Sequence, residues 1–105
     1  MSRNPEEIRR AAQVFKALAH PQRLRIACRL VEGGCPSQKQ LVEELGLPQS
    51  SVARLLEPLR QCGLVAGERQ GAELRLSARG EVLGQMLETL CGWMHEEERK
   101  EGGGA

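Results

Sequence analysis

Residues 37–65 read SQKQLVEELGLPQSSVARLLEPLRQCGLV, two apolar periods on either side of a Gly-Leu-Pro break. Ser37, with Gln40 three residues on, forms a capping box for a short helix carrying Leu41 and Leu45. Gly46 is its left-handed stop and Leu47 the apolar residue of the turn. Pro48 opens a longer helix with Val52, Leu55, Leu56 and Leu59 on one face, ending at Cys62-Gly63. Pro58 inside that helix removes one backbone hydrogen bond and predicts a bend near Arg54.

Upstream, Ile8, Ala11, Ala12, Phe15 and Leu18 recur at helical spacing from Pro5, with Asn4 as N-cap. Pro21 opens a second helix carrying Leu24, Ala27, Cys28 and Val31 and stopping at Gly33-Gly34. Downstream the period shortens. Residues 64–69 and 72–76 read as two strands around Gln70-Gly71, and a last helix starting at Ser77 or Ala78 carries Val82, Leu83, Met86, Leu87, Leu90, Cys91 and Met94. The order α-α-α-α-β-β-α, with a short helix, a glycine turn, a longer helix and then a hairpin, is the layout of a winged helix-turn-helix: mainly α with a β-hairpin. A generic helical bundle with a hairpin is the plainer alternative. Residues 1–98 make one domain, and 99–105, ending Gly-Gly-Gly-Ala, are expected to be a disordered tail.

The composition fits. The 105 residues are 40% hydrophobic but only 2% aromatic, with one Trp, one Phe and no Tyr, so the core must be aliphatic. No apolar run is long enough for a membrane span, and no apolar stretch near Met1 serves as a signal peptide, so a cytoplasmic protein is expected. The net charge of +1 conceals an uneven distribution: residues 1–34 hold seven Lys/Arg against three Glu, residues 81–105 two against six. A basic front and an acidic tail are compatible with phosphate binding. The four cysteines (Cys28, Cys35, Cys62 and Cys91) form no CxxC pair and read as reduced thiols.

In a helix-turn-helix the second helix lies in the major groove and its N-terminal residues reach base edges. Here that end presents Gln49, Ser50, Ser51, Ala53 and Arg54. Gln suits adenine, Arg suits guanine, and Ser serves base or phosphate. Ser37 at the head of the preceding helix, Arg69 and Gln70 at the hairpin tip, and Arg75 on the return strand complete the expected contacts with double-stranded DNA. The first and last helices leave apolar stripes that a domain this small cannot cover alone. Ile8, Phe15, Leu83, Leu87, Leu90 and Met94 are therefore expected at a homodimer interface.

Phe15-Lys16-Ala17-Leu18-Ala19-His20-Pro21-Gln22-Arg23-Leu24-Arg25-Ile26 resembles the "ALAHPxRLxIL" opening of the ArsR/SmtB family of dimeric repressors. Gly46-Leu47-Pro48-Gln49-Ser50-Ser51-Val52 and Leu59-Arg60-Gln61-Cys62-Gly63-Leu64-Val65 resemble its "GLSQSxVSxHLxxLxxAGLV" core, and the likeness spans roughly residues 8–94. It implies a homodimer, paired through its first and last helices, that binds a partly palindromic operator and leaves it when an inducer binds. Leu55 stands where the family often has His and Glu57 where Lys is common, and the hairpin lacks the usual Tyr.

The resemblance also frames the search for a switch. The thiolate pair of some members would fall at Ser37 and Lys39, and the Asp/His set of others meets only Gln85, Glu88 and His95, so neither zinc-type site is expected. Cys28 and Cys91 resemble in placement the cysteine pair of the persulfide- and redox-responsive branch. A low-pKa thiolate near Arg25 and Arg29 would react with a reactive sulfur species or a peroxide. Two alternatives stay open: cysteines packed as small apolar residues, or a site for arsenite or another soft ion. A thiol enzyme is not expected, because His20 and His95 are the only histidines and no catalytic motif surrounds any cysteine. No cofactor is expected either. A winged helix serving as a protein-interaction module, never meeting DNA, is the remaining class.

Overall fold

Asn4 caps the first helix, α1 (Pro5–Leu18), its side-chain oxygen accepting from the Glu7 N–H at 2.9 Å. The computed structural model of the chain describes residues 3–103. His20 caps α2 (Pro21–Val31) by accepting from the Gln22 N–H through Nδ1 at 3.1 Å. Arg23 turns back to donate from Nε to the Ala17 carbonyl at 2.6 Å, satisfying the end of α1. The His-Pro-Gln-Arg segment is thus a helix–helix joint built from side-chain caps.

Both halves of the capping box form at α3 (Gln38–Leu45). Ser37 Oγ accepts from the Gln40 N–H at 3.1 Å, and Gln40 Oε1 accepts from the Ser37 N–H at 2.7 Å. Gly46 ends α3 at φ 67°, a conformation that disfavours a β-carbon, and its N–H reaches the Val42 carbonyl. Helix α4 (Gln49–Gln61) follows and runs unbroken through Pro58.

The hairpin pairs β1 (Val65–Gln70) with β2 (Glu73–Ala78), antiparallel, in a register that sets Val65 opposite Ala78 and Gln70 opposite Glu73. Strand β2 outlasts the sequence expectation. Ser77 and Ala78 pair with Ala66 and Val65 instead of starting the last helix, and α5 begins only at Val82, beyond Gly80 at φ 63°. Backbone pairing wins at Ser77-Ala78 because two strand partners lie directly opposite. At its far end α5 continues through Arg99 to Gly103, past the end assigned to the domain from sequence, with Lys100 3.8 Å from Glu97; Gly104 and Ala105 lie outside the described residues. Among the described residues no helix is long and apolar enough to cross a membrane.

Ile26, Leu41, Val52, Leu59, Leu76 and Leu83 form the fully buried centre, one or more from every helix but α1, which adds Ala17 and Leu18 at its end. The core is aliphatic, as the composition requires. Phe15 and Trp93, the chain's two aromatic residues, both lie outside it.

Candidate nucleic-acid interface

The buried side of α4 is fixed by Val52, Leu56 and Leu59, which leaves Ser50, Arg54, Glu57 and Gln61 in one exposed row. Gln49 and Ala53 are exposed beside that row, and Ser51 is half-buried. Among the described residues no side chain caps the start of α4, and the Pro48 carbonyl takes the N–H groups of Ser51 and Val52. The positive end of the helix is therefore open beside Gln49 and Ser50, the arrangement that favours a phosphate. Arg54 makes no hydrogen bond or ion pair among the described residues, while Glu57 is held by Gln61 Nε2 at 3.1 Å.

Helix α3, the start of α4 and the hairpin enclose a cleft of about 540 Å³ that gathers Lys39, Gln49 and Arg69 around Leu74. Lys39 and Arg69 are exposed cations on opposite elements of the same cleft, with Gln70 at the exposed tip. Sequence reasoning weighed Lys39 only as a metal position. The available signal was its place in the first turn of the helix before the glycine stop.

Two expected contacts are reassigned. Ser37 is 2% exposed, and its hydroxyl and N–H are both used in the capping box, so its side chain faces inward. Arg75 is engaged within the fold: its guanidinium donates to Glu73 at 2.6 Å and, at 3.4 Å each, to the Cys35 carbonyl and Gln40 Oε1. It fastens β2 to the entry of α3, where the Leu76 N–H also reaches the Pro36 carbonyl at 3.0 Å. The carboxylate at Glu73 and the carbonyl at Cys35 outcompete solvent for this cation because they lie on its own side of the hairpin.

Elsewhere α1 and α5, with Leu24 of α2, enclose a groove of about 740 Å³ lined almost wholly by apolar groups, among them Phe15, Met86, Leu90 and Trp93. Phe15 is 64% exposed and Trp93 57%, and Ile8, Leu90 and Met94 are exposed with them; Leu87 is half-buried. Leu83 is corrected: it is fully buried within the chain, on the α5 face toward α2, and has no surface to offer a partner. A stripe read through Leu90 and Met94 omits Trp93, whose own signal in the sequence is that it is the lone Trp.

Cys28 on α2 and Cys91 on α5 are both exposed in the single chain. The expected low-pKa thiolate is also corrected. Partial burial pushes the Cys28 thiol above its ordinary value, with further upward pushes from the Cys91 and Glu32 charges. The neighbouring arginines are engaged elsewhere. Arg29 Nε pairs with Glu44 at 3.0 Å and its Nη1 donates to the Gly33 carbonyl at 2.9 Å, while Arg25 reaches the Glu44 carbonyl. At neutral pH Cys28 is therefore a protonated thiol and should alkylate with iodoacetamide more slowly than free cysteine. The rate should climb as pH rises past the ordinary thiol range. Glu32→Gln removes one charge that opposes the thiolate and should speed labelling at neutral pH; wild-type labelling faster than free cysteine would contradict this geometry. Among the described residues no three His, Cys, Asp or Glu side chains converge as a metal site.

Comparison with known proteins places this arrangement. Residues 8–69 match the IclR helix-turn-helix domain. The HTH-type transcriptional regulator CmtR of Mycobacterium tuberculosis is 38% identical over 79 residues, 75% of this chain but just under two thirds (66%) of CmtR. The HTH-type transcriptional regulator NmtR of the same organism is 38% identical over 87 residues, covering 80% of this chain and 72% of NmtR. The crystal structure of M. tuberculosis Rv0081 superposes with a TM-score of 0.83 at 29% identity, over 94% of this chain and 98% of that one.

Proposed function

Since the chain belongs to the winged helix-turn-helix transcriptional regulators, we propose that it is a homodimeric, sequence-specific DNA-binding repressor of the ArsR/SmtB type, released from its operator by an inducer. The observation that carries this reading is the leading end of α4: uncapped, exposed at Gln49, Ser50 and Arg54, and set beside the Lys39–Arg69 cleft. In the major groove, Arg54 is the fork for guanine, Gln49 the amide for adenine, and Ala53 the small side chain that admits a thymine methyl. Lys39, Arg69 and Gln70 meet the phosphates on either side. The Ala17–Leu24 segment favours the ArsR/SmtB assignment, and the groove between α1 and α5 supplies the dimer face. Its exposed aromatics and a radius of gyration of 15.9 Å, against about 13 Å for a closed domain of this length, are what a half-assembly looks like.

The test is a salt series on a duplex recovered by selection from a random pool. Lys39 and Arg69 from two protomers give about four cationic phosphate contacts, so log affinity should fall against log salt with a slope of about −3.6. Between about 50 and 200 mM salt this is roughly a 10²-fold loss. Flat, weak binding to every duplex would favour a protein-interaction module and end the repressor reading.

For the inducer we infer a thiol switch at Cys28 and Cys91, supported by their exposure and by the upward push that the Cys91 charge exerts on the Cys28 thiol across the α2–α5 joint. A peroxide would oxidise one thiol to the sulfenic acid with release of water. The second thiol would then displace a second water and close the disulfide. Because α5 also lines the dimer groove, the link would shift the spacing of the two recognition helices. Mass spectrometry of peroxide- or polysulfide-treated protein should find Cys28 joined to Cys91 together with loss of duplex binding. Treated protein with both thiols free and binding intact would remove this switch.

A further inference from the structure

The hairpin is a two-stranded sheet, and such a unit is marginally stable unless something else holds it. Its β2 edge is tied by the Leu76 N–H to the Pro36 carbonyl, by a Ser37–Arg75 bridge, and by the Arg75 guanidinium. Among the described residues its β1 edge has no strand beside it. On the face of β1 that is shared with Leu74 and Leu76 lies Arg60, from the last turn of α4. A β-carbon at position 67 would stand 3.0 Å from Arg60 Nη2, 3.1 Å from its Cζ and 3.2 Å from Leu74 Cδ1. Glycine is poor in strand interiors, and here it marks a close approach: a β-carbon would crowd the guanidinium and Leu74 by a few tenths of an ångström. The Arg60 residue is exposed and its side chain makes no hydrogen bond or ion pair among the described residues, so no other side-chain contact in the fold requires it there.

We propose that Arg60 is a positioning residue for DNA binding: laid across the face of β1 at Gly67, it locks the hairpin to the recognition helix, so that the tip cation Arg69 is presented at a fixed place relative to α4. This rests on the DNA-binding reading above. The link to the tip is geometric. Gly67 and Arg69 are two residues apart on the same face of one strand, about 7 Å along it, so pinning one fixes the direction of the other. With β2 fastened by Arg75 and β1 by Arg60, helix and hairpin present their cations as one rigid surface. Binding then loses less orientational freedom than it would with a loose wing.

A double-mutant cycle on the selected duplex tests it, with the salt slope as readout. Arg69→Ala removes one phosphate contact per protomer and should flatten the slope by about 1.8 for the dimer. Arg60→Ala should flatten it by a comparable amount, although Arg60 never touches DNA, and the Arg60→Ala/Arg69→Ala pair should be no flatter than Arg69→Ala alone. Gly67→Ala, whose methyl group would stand 3.0 Å from the guanidinium and push it off the strand, should flatten the slope in the same direction as Arg60→Ala but by less. All four variants should melt with the wild type, and amide exchange in Arg60→Ala should quicken in β1 and β2 but not in α4. Additive losses for the pair would mean that Arg60 meets a phosphate directly, and an unchanged slope in Arg60→Ala would mean that the hairpin needs no latch; either overturns the proposal while the repressor reading stands. Wild-type protein without salt-dependent binding would overturn both.

Discussion

Leu90→Asp is expected to leave the protein folded but monomeric, and with it to lose tight operator binding. Leu90 lies on the exposed side of α5, in the groove it shares with Phe15 and Trp93, so the fold of one chain does not depend on it. In a two-fold pair it appears twice. Each copy forfeits about 1.5–3 kcal/mol of apolar burial and places a carboxylate where a partner's side chains exclude water, at several kcal/mol more. A dimer reads two half-sites one helical turn apart, and a monomer reads only one. Losing the second half-site should cost at least about 100-fold in affinity, the usual scale of a linked second contact. Analytical ultracentrifugation and circular dichroism together settle the matter. A folded Leu90→Asp protein that still sediments as a dimer would show that the copies meet elsewhere.

Arg54→Ala is the second large effect, because symmetry doubles it. A bidentate arginine–base contact is worth about 1–3 kcal/mol in discrimination, and two per dimer amount to about 2–6 kcal/mol, or roughly 30-fold to 10⁴-fold. The loss should fall on the preferred duplex and spare duplexes already altered at the contacted base pair, so the preference itself relaxes. Arg54→Lys keeps the charge and loses the fork, and should restore affinity at low salt without restoring the preference. Arg54 is exposed and unpartnered among the described residues, so stability should not change. An Arg54→Ala protein with the same footprint and the same ranking of duplexes would mean that α4 does not read that position.

Much of the architecture was legible because it is written in local chemistry. Asn4, the Ser37–Gln40 capping box and Gly46 act within a few residues of themselves, and each does in the structure what its neighbours in sequence imply. The start of the last helix was misread because Ser77 and Ala78 are indifferent by themselves; their strand state comes from Val65 and Ala66, a dozen residues upstream.

The site divides along the same line. The sequence alone determined the helix order, the aliphatic core and the row of residues exposed on α4, since helical periodicity fixes which side chains turn outward once the buried face is known. Only the tertiary structure decided how charged side chains are spent. It brought Lys39 and Arg69 to one cleft, turned Arg75 and Arg29 inward onto acceptors, buried Leu83, and laid Arg60 on Gly67. A long flexible cation goes to the nearest acceptor or flat surface in space, and that neighbour belongs to another element whose distance along the chain carries no information about it.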